Sequence, residues 1–447
     1  PAAVFHLLGG EMRKATAETP LSPLWQDIYG FFDENSQWQK RLSLLKQGIG
    51  KTAKPERLSP KTAKALYGKN IFSSVSRLER FAGCPFSFFA EYGLKAEERR
   101  LYQLNTPDLG SLFHEVLELF SNKLEQDNLP WTSLTKEETT ARIHAAVEDA
   151  APRLGNRILL DSAANQYLIR RLKRISTRAA WTLVQHLQQG DFVPAGYEVG
   201  FGAHEALPPI VIRLQDGGSL ILNGKIDRVD LLDANGTRYV KIIDYKSGNK
   251  TFHFQDIYYG LQLQLLVYLD AYLKYYKKTG ASFKPGGVFY FRITDPTLAL
   301  DEELSAEAIE KILYEKMRMS GLLLQEDVLI HGLDHSLAES RSSAIVPVGY
   351  TKKGDPTAAS NLATEEQYAA ILDFVATRTQ EIGDAMKAGI ITPAPYRDGQ
   401  RTPCAYCSYR SLCRHSYAEA PKWRKLKKID KADFWETITP KQPPETE

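Results

Sequence analysis

Residues 224–268 limit what this chain can fold into more than any other stretch. Three short patterns of chemistry-bearing residues follow one another there: Gly-Lys-Ile-Asp-Arg-Val-Asp over 224–230, Ile-Asp-Tyr-Lys-Ser-Gly over 243–248 and Gln-Leu-Leu-Val-Tyr over 264–268. Leu220, Ile221 and Leu222 lead into the first, and the run from Tyr239 to Ile243 leads into the second. Both runs are apolar and rich in β-branched residues, and Asp233-Ala-Asn-Gly236 between them carries turn chemistry. The pattern predicts a β-hairpin that delivers Asp227, Asp244 and Lys246 to one end of a sheet. From Asp256 to about Lys278 nothing breaks the pattern except Gly260 near its start, which predicts a helix with Gln264 and Tyr268 on one face.

Two carboxylates and a lysine on adjacent strands suit metal-dependent phosphodiester hydrolysis. Carboxylate oxygens hold Mg²⁺ or Mn²⁺, and the metal acidifies a bound water and offsets charge in the transition state. An ammonium beside that water, here Lys246, favours its hydroxide form. The plain alternative is a solvated hairpin with ordinary surface charges. The constellation in this order resembles the RecB-like branch of the PD-(D/E)xK nuclease superfamily. That resemblance implies an α/β, restriction-endonuclease-like mixed central sheet flanked by helices. It implies that Asp227 and Asp244 bind the metal, together with the main-chain carbonyl of Tyr245, that Lys246 is catalytic, and that Gln264 and Tyr268 line the DNA groove.

The chain has 447 residues, 43% hydrophobic and 25% charged, which is enough for two or three globular domains. It has no run of about 18 apolar residues and no signal-peptide pattern, which predicts a soluble, cytoplasmic protein without a membrane partner. The net charge is only +3, so DNA binding would rest on local basic patches. Pro1 with no preceding Met reads as the start of a carved-out C-terminal portion of something longer. Residues 1–50 mix short apolar and aromatic segments with a helix from Gln37 to Lys46. Gly48-Ile-Gly-Lys-Thr52 invites comparison with a phosphate-binding loop, but Leu45 stands where the first glycine of that motif belongs, and a helical pattern precedes it. Residues 51–66 read as a linker.

Ser76 is expected to cap a short helix ending before Cys84-Pro85, and the segment from Ser74 to Phe89 resembles the opening of the nuclease domain in AddB-like proteins. Residues 110–124 form an amphipathic helix carrying His114 and, one turn on, Glu118. A lone helical histidine is usually structural, but the resemblance implies a metal-binding His on the helix that precedes the sheet. Residues 135–190 are helical, with Arg170, Arg171, Lys173, Arg174 and Arg178 clustered as a solvated face or, alternatively, a phosphate-contact strip. Glu198, near the first strand, corresponds to an acidic outer position in the superfamily. Residues 287–293 alternate as a buried strand, 301–325 and 364–388 read as helices, and 330–361 as a polar inserted loop.

Only four cysteines are present, Cys84, Cys404, Cys407 and Cys413, the last three spaced Cys-x₂-Cys-x₅-Cys. In an intracellular chain a shared metal is the better reading than disulfides. Spacing leaves Zn²⁺ and a [4Fe–4S] cluster both open. The resemblance to AddB-like nucleases, with one Cys before the nuclease core and three after it, implies [4Fe–4S] stapling the two ends of that domain. The predicted organisation is a helicase-like remnant and linker over 1–71, a nuclease domain over 72–415 and a tail over 416–447. The resemblance further implies an AddA-type helicase–nuclease subunit as heterodimer partner and single-stranded DNA emerging from unwound duplex as substrate, with resection of the 5′-terminated strand at double-strand breaks. The competing readings are a free-standing iron–sulfur exonuclease and a non-catalytic, zinc-stabilised DNA-binding clamp.

Overall fold

The computed structural model describes residues 1–15, 19–49, 57–97, 106–153, 163–298, 304–413, 415 and 423–439. The chain divides into two compact units, residues 1–56 with 410–422, and residues 57–409 with 423–447. In the smaller unit, α1 (Ala2–Lys14), α2 (Pro23–Glu34) and α3 (Ser36–Ile49) close on Leu8, Phe32 and Leu42. The rings of Phe5, Phe32 and Trp38 meet there, with centroids 4.9 and 5.0 Å apart. The Gly50–Thr52 part of the loop-like motif lies outside the described residues.

The larger unit is built on a six-stranded sheet of order β2-β5-β6-β7-β8-β9. The flanking β1 (Ile71–Ser73), β3 (Ile210–Arg213) and β4 (Ser219–Leu222) make a separate three-stranded sheet. In the main sheet β2 (Val193–Phe201), β5 (Gly224–Ala234) and β6 (Thr237–Lys246) are antiparallel neighbours, and β6 and β7 (Phe283–Arg292) are parallel. Beyond them, β8 (Ser320–Leu324) pairs antiparallel with β7, and β9 (Leu362–Ala363) parallel with β8. The sheet is therefore mixed, as the family resemblance implies. Ala234 pairs with Thr237, and Asn235 and Gly236 take φ of 51° and 74°. Positive φ at both loop residues is the type I′ turn whose twist matches paired strands.

Helices α4 (Pro60–Tyr67), α5 (Val75–Gly83) and the short α6 (Pro85–Phe88) lead into the unit. Then come α7 (Thr106–Gln126), α8 (Lys136–Ala150, with a Thr135–Glu138 capping box) and α9 (Ala163–Gln188). The crossover from β6 to β7 holds α10 (Phe254–Tyr258) and α11 (Gln264–Lys278), and after β7 comes α12 (Ala306–Lys316). The chain ends its helices with α13 (Asp327–Leu333), α14 (Glu365–Lys387), α15 (Arg410–Cys413, in the smaller unit) and α16 (Lys431–Ile438).

Several expectations change. The helix foreseen from Asp256 breaks at Gly260, whose φ is 74°, and restarts at Gln264. The break sets the N-terminus of α11 beside the carboxylate strands. Ser74, not Ser76, occupies the N-cap of α5. Within 51–66, Pro60 onward is helical, with Ser59 accepting from the Thr62 N–H at 3.1 Å. The stretch 301–325 is helical only over α12, because Leu322, Leu323 and Leu324 are wholly buried as strand β8; residues 301–303 lie outside the described set. The segment 330–361 is not merely a polar loop: Ile345, Val346 and Val348 enter the main core. Its polar groups close on Asp334, whose carboxylate accepts from Ser336 and Ser343 at 2.6 Å each. Within the expected tail, residues 423–439 are packed: β11 (Arg424–Lys425) pairs with β10 (Tyr396–Arg397), and Phe434 and Trp435 of α16 are core residues.

Candidate metal centre

The centre is assembled by strand register. Tyr197 pairs with Arg228 and Val199 with Ile226, so Glu198 stands opposite Asp227. Arg228 pairs with Ile243, so Asp227 in turn stands opposite Asp244. Directly opposed residues on antiparallel strands project to one face, and three carboxylates thus cross three adjacent strands in a row. Glu198 carries φ of 47° inside a strand, a left-handed conformation that costs a non-glycine residue energy and gathers at functional sites.

His114, on α7, completes the group. Its Nδ1 lies 3.4 Å from Asp227 Oδ1 and 3.8 Å from Glu198 Oε1. Its ring meets the Tyr245 ring edge-on at 5.9 Å. One potential ligand atom from each of His114, Glu198 and Asp227 falls within 4.8 Å of the other two. A cleft of about 570 Å³ opens onto His114 and Glu198, lined also by Ser111, Glu118 and Arg153. Gly110 brings α7 close, since a Cβ there would stand 3.0 Å from Ser247 Oγ.

Asp227 Oδ2 accepts from the Tyr245 N–H at 2.5 Å. Asp244 Oδ1 accepts from Gln264 Nε2 at 2.7 Å, and its Oδ2 is ion-paired with Lys246. Burial, then the neighbouring Asp227, pushes the Asp244 carboxyl up to about 7 against the pull of Lys246 and Lys250. Burial lowers the affinity of His114 for a proton, but Asp227 and Glu198 outweigh it and raise the imidazole to about 10. Crowded carboxylates that hold protons near neutrality are what a divalent cation relieves. Oxygen donors with one imidazole suit Mg²⁺ or Mn²⁺, so the residues present fit such an ion.

Glu79 was invisible to sequence reasoning. From α5 its Oε1 accepts from the main-chain N–H of Leu263 at 2.8 Å and of Gln264 at 3.1 Å, while Oε2 holds Lys250 Nζ at 3.1 Å. A carboxylate at a helix N-terminus satisfies orphan donors and complements the dipole. Glu79 thereby fixes Gln264, which fixes Asp244. Only an acidic residue on an amphipathic helix is visible in the sequence, and that is no signal.

Gln264 therefore serves Asp244 in this arrangement and does not project freely into a groove. Tyr268 is 5% exposed, its ring packs on Phe201 with centroids 5.5 Å apart, and a Cβ on Gly224 would collide with its hydroxyl. The buried ring lacks the open face that base stacking requires, which corrects the groove-lining expectation. In the basic cluster, Lys173 pairs with Glu148 at 2.6 Å, and Asp295 takes both Arg174 at 2.5 Å and Arg178 at 3.3 Å.

Cys84 is buried and Cys404 and Cys407 are partly exposed, and none of the three is in a disulfide. Burial pushes the Cys84 thiol up, main-chain N–H groups of Ser87, Ala394 and Phe86 pull it down, and Cys404 is near enough to raise it further. Main-chain donors converging on a sulfur beside a second thiol suit a thiolate ligand of an iron–sulfur group. Cys413 ends α15. One contact joins the two ends of the nuclease region, Tyr409 donating to the Ala96 carbonyl at 2.9 Å, while Arg401 holds Asp256 of α10, in the crossover, at 2.6 and 2.8 Å.

Residues 73–414 match the family model described as PD-(D/E)XK nuclease superfamily, and residues 1–48 match that of the ATP-dependent helicase/deoxyribonuclease AddB fifth domain. Among curated relatives, a protein of Alkaliphilus oremlandii is 40% identical over 98% of this chain and 38% of its own length. One of Alkaliphilus metalliredigens is 41% identical over 92% and 36%, and one of Anoxybacillus flavithermus is 36% identical over 92% and 36%. All three are named as a subunit of an ATP-dependent helicase/deoxyribonuclease. This chain spans little more than a third of their length. No helix among the described residues is long and apolar enough to cross a membrane.

Proposed function

Because this chain belongs to the PD-(D/E)XK nuclease superfamily, we propose that it is a divalent-metal-dependent deoxyribonuclease hydrolysing phosphodiester bonds. The observation that carries the reading is the row of Glu198, Asp227 and Asp244 across three neighbouring strands, closed by His114 and Lys246. Asp227, Asp244, His114 and the Tyr245 carbonyl would hold the ion, and Glu198 would support it from the adjoining strand. Bound Mg²⁺ or Mn²⁺ supplies charge neutralisation at the phosphate and an acidified water. The protein's own groups set the rest. Gln264 keeps Asp244 in one orientation, the Tyr245 N–H does the same for Asp227, and Lys246 offers an ammonium for the anionic phosphate or the attacking water.

The reading extends to the whole assembly. The chain acts as the nuclease-bearing portion of a helicase–nuclease subunit, paired with an AddA-type helicase subunit, and resects double-strand DNA ends by exonucleolytic cutting of the 5′-terminated strand. The fifth-domain match over 1–48 and the names of the relatives support this. A [4Fe–4S] cluster on Cys84, Cys404, Cys407 and Cys413 is part of the proposal, supported by the thiol environment of Cys84.

The test is Mg²⁺-dependent digestion of single-stranded DNA by wild type and Asp244→Ala. Cleavage is expected to fall at least about tenfold, because a ligand leaves and the acidified water goes with it. Affinity for DNA should persist, since phosphate contacts sustain it. Near-wild-type cleavage by the variant removes Asp244 from the metal's ligands.

A further inference from the structure

A second cavity, of about 610 Å³, lies away from the carboxylates between α8, α9 and α12. Its floor is aromatic and apolar, with Trp181, Leu313, Tyr314 and Met317. Its rim is cationic: Lys136, Arg170, Lys173, Arg174, Arg178 and Lys311 line it. Three acids, Glu310, Glu148 and Asp295, neutralise part of that charge. Arg170 and Lys311 have no acidic partner among the described residues, so a net positive rim surrounds an aromatic floor.

We propose that this cavity seats a nucleotide of the single DNA strand on its way to the metal centre, with the base against Trp181 and the flanking phosphates on Arg170 and Lys311. The inference rests on the deoxyribonuclease reading and extends it to how the strand is held. A cationic groove joined to an aromatic platform is the general device for binding an unpaired strand without sequence preference. The volume matches a site for a small ligand unit.

The rim of the cavity is also linked through the backbone to the strand that bears Lys246. Asp295, which takes Arg174 and Arg178 on the rim, is two residues beyond Ile293, whose N–H donates to the Lys246 carbonyl at 2.9 Å. Two extended residues span at most about 7 Å. The rim is thus tied through one short segment to the strand end that bears Lys246.

The test is fluorescence anisotropy of a labelled oligothymidylate with the 447-residue chain, in EDTA so that nothing is cut. The surface double variant Arg170→Glu/Lys311→Glu should bind at least about tenfold more weakly at low salt and flatten the salt dependence of log affinity by roughly 1.4 for the two lost phosphate contacts. Trp181→Ala should weaken binding roughly 5- to 150-fold, the fold equivalent of one stacked base, and Trp181→Phe should restore most of it. Hydrolysis of a small phosphodiester, too short to reach the cavity, should be unchanged in the double variant. Wild-type affinity and salt slope in a folded double variant would overturn the assignment while leaving the nuclease reading intact. Conversely, weakened binding by a chain that hydrolyses no phosphodiester would keep the cavity and remove the enzyme.

Discussion

Metal binding at this centre should expel protons, and the number follows from the site. Without a cation, His114 is raised to about 10 by Asp227 and Glu198 against its burial, and Asp244 is raised to about 7 by burial and by Asp227. A ligand must bind in its unprotonated form. At pH 7 His114 holds essentially one proton and Asp244 half of one, so a bound Mg²⁺ or Mn²⁺ should release about one and a half protons. The sign follows directly: affinity rises with pH, since acid protonates the ligands. The slope of log affinity against pH should approach about 2 below pH 7, where both groups are protonated, and about 1 between pH 7 and 10, where only His114 is.

Calorimetric titration of metal into the DNA-free chain, repeated in buffers of different ionisation enthalpy, reads the proton number directly. Replacing His114 by Gln should reduce the release at pH 7 to about half a proton. Affinity that does not change between pH 6 and 8, or a release near zero, would refute the reasoning, because a ligand set that includes His114 and Asp244 raised in this way must shed their protons on binding. The same shifts bear on the metal-free fold. The stability that the raised His114 contributes is complete below its ordinary value of 6.5 and is lost as pH climbs through 10.

Glu79→Ala leaves the Leu263 and Gln264 N–H groups without an acceptor and should destabilise the larger unit by about 2–4 kcal/mol in denaturant melts, with cleavage falling more than DNA affinity; equal losses in both would mean Glu79 does not act through Gln264. Tyr268→Ala should open a core cavity costing about 3–5 kcal/mol and leave single-strand affinity within about twofold once folded protein is compared; weaker binding at unchanged stability would return Tyr268 to the groove. Cys84→Ser should lose bound iron and broad visible absorption while the Tyr409–Ala96 hydrogen bond keeps the ends joined and Arg401–Asp256 holds the C-terminal end to α10, so protease should open only the cysteine-bearing segment; stoichiometric zinc without iron in anaerobically prepared wild type would sink the cluster.

What the sequence determined by itself is local. The hairpin with its Asn235-Gly236 loop was legible because side chains alternate with period two and only certain residues tolerate positive φ. The same alternation made Asp227, Asp244 and Lys246 readable as strand residues, and helical periodicity did so for His114 on α7. The mixed sheet followed from resemblance to a nuclease family, not from periodicity. Tertiary structure alone decided the rest. A cap supplied from 184 residues away, as Glu79 supplies it to Leu263, leaves no local trace. Whether Tyr268 faced a groove or the core depended on Phe201 and Gly224, which share neither its helix nor its period. Helical spacing shows which residues share a face, but what covers that face is set by contacts between elements far apart in the chain, and those contacts decided the role of Tyr268.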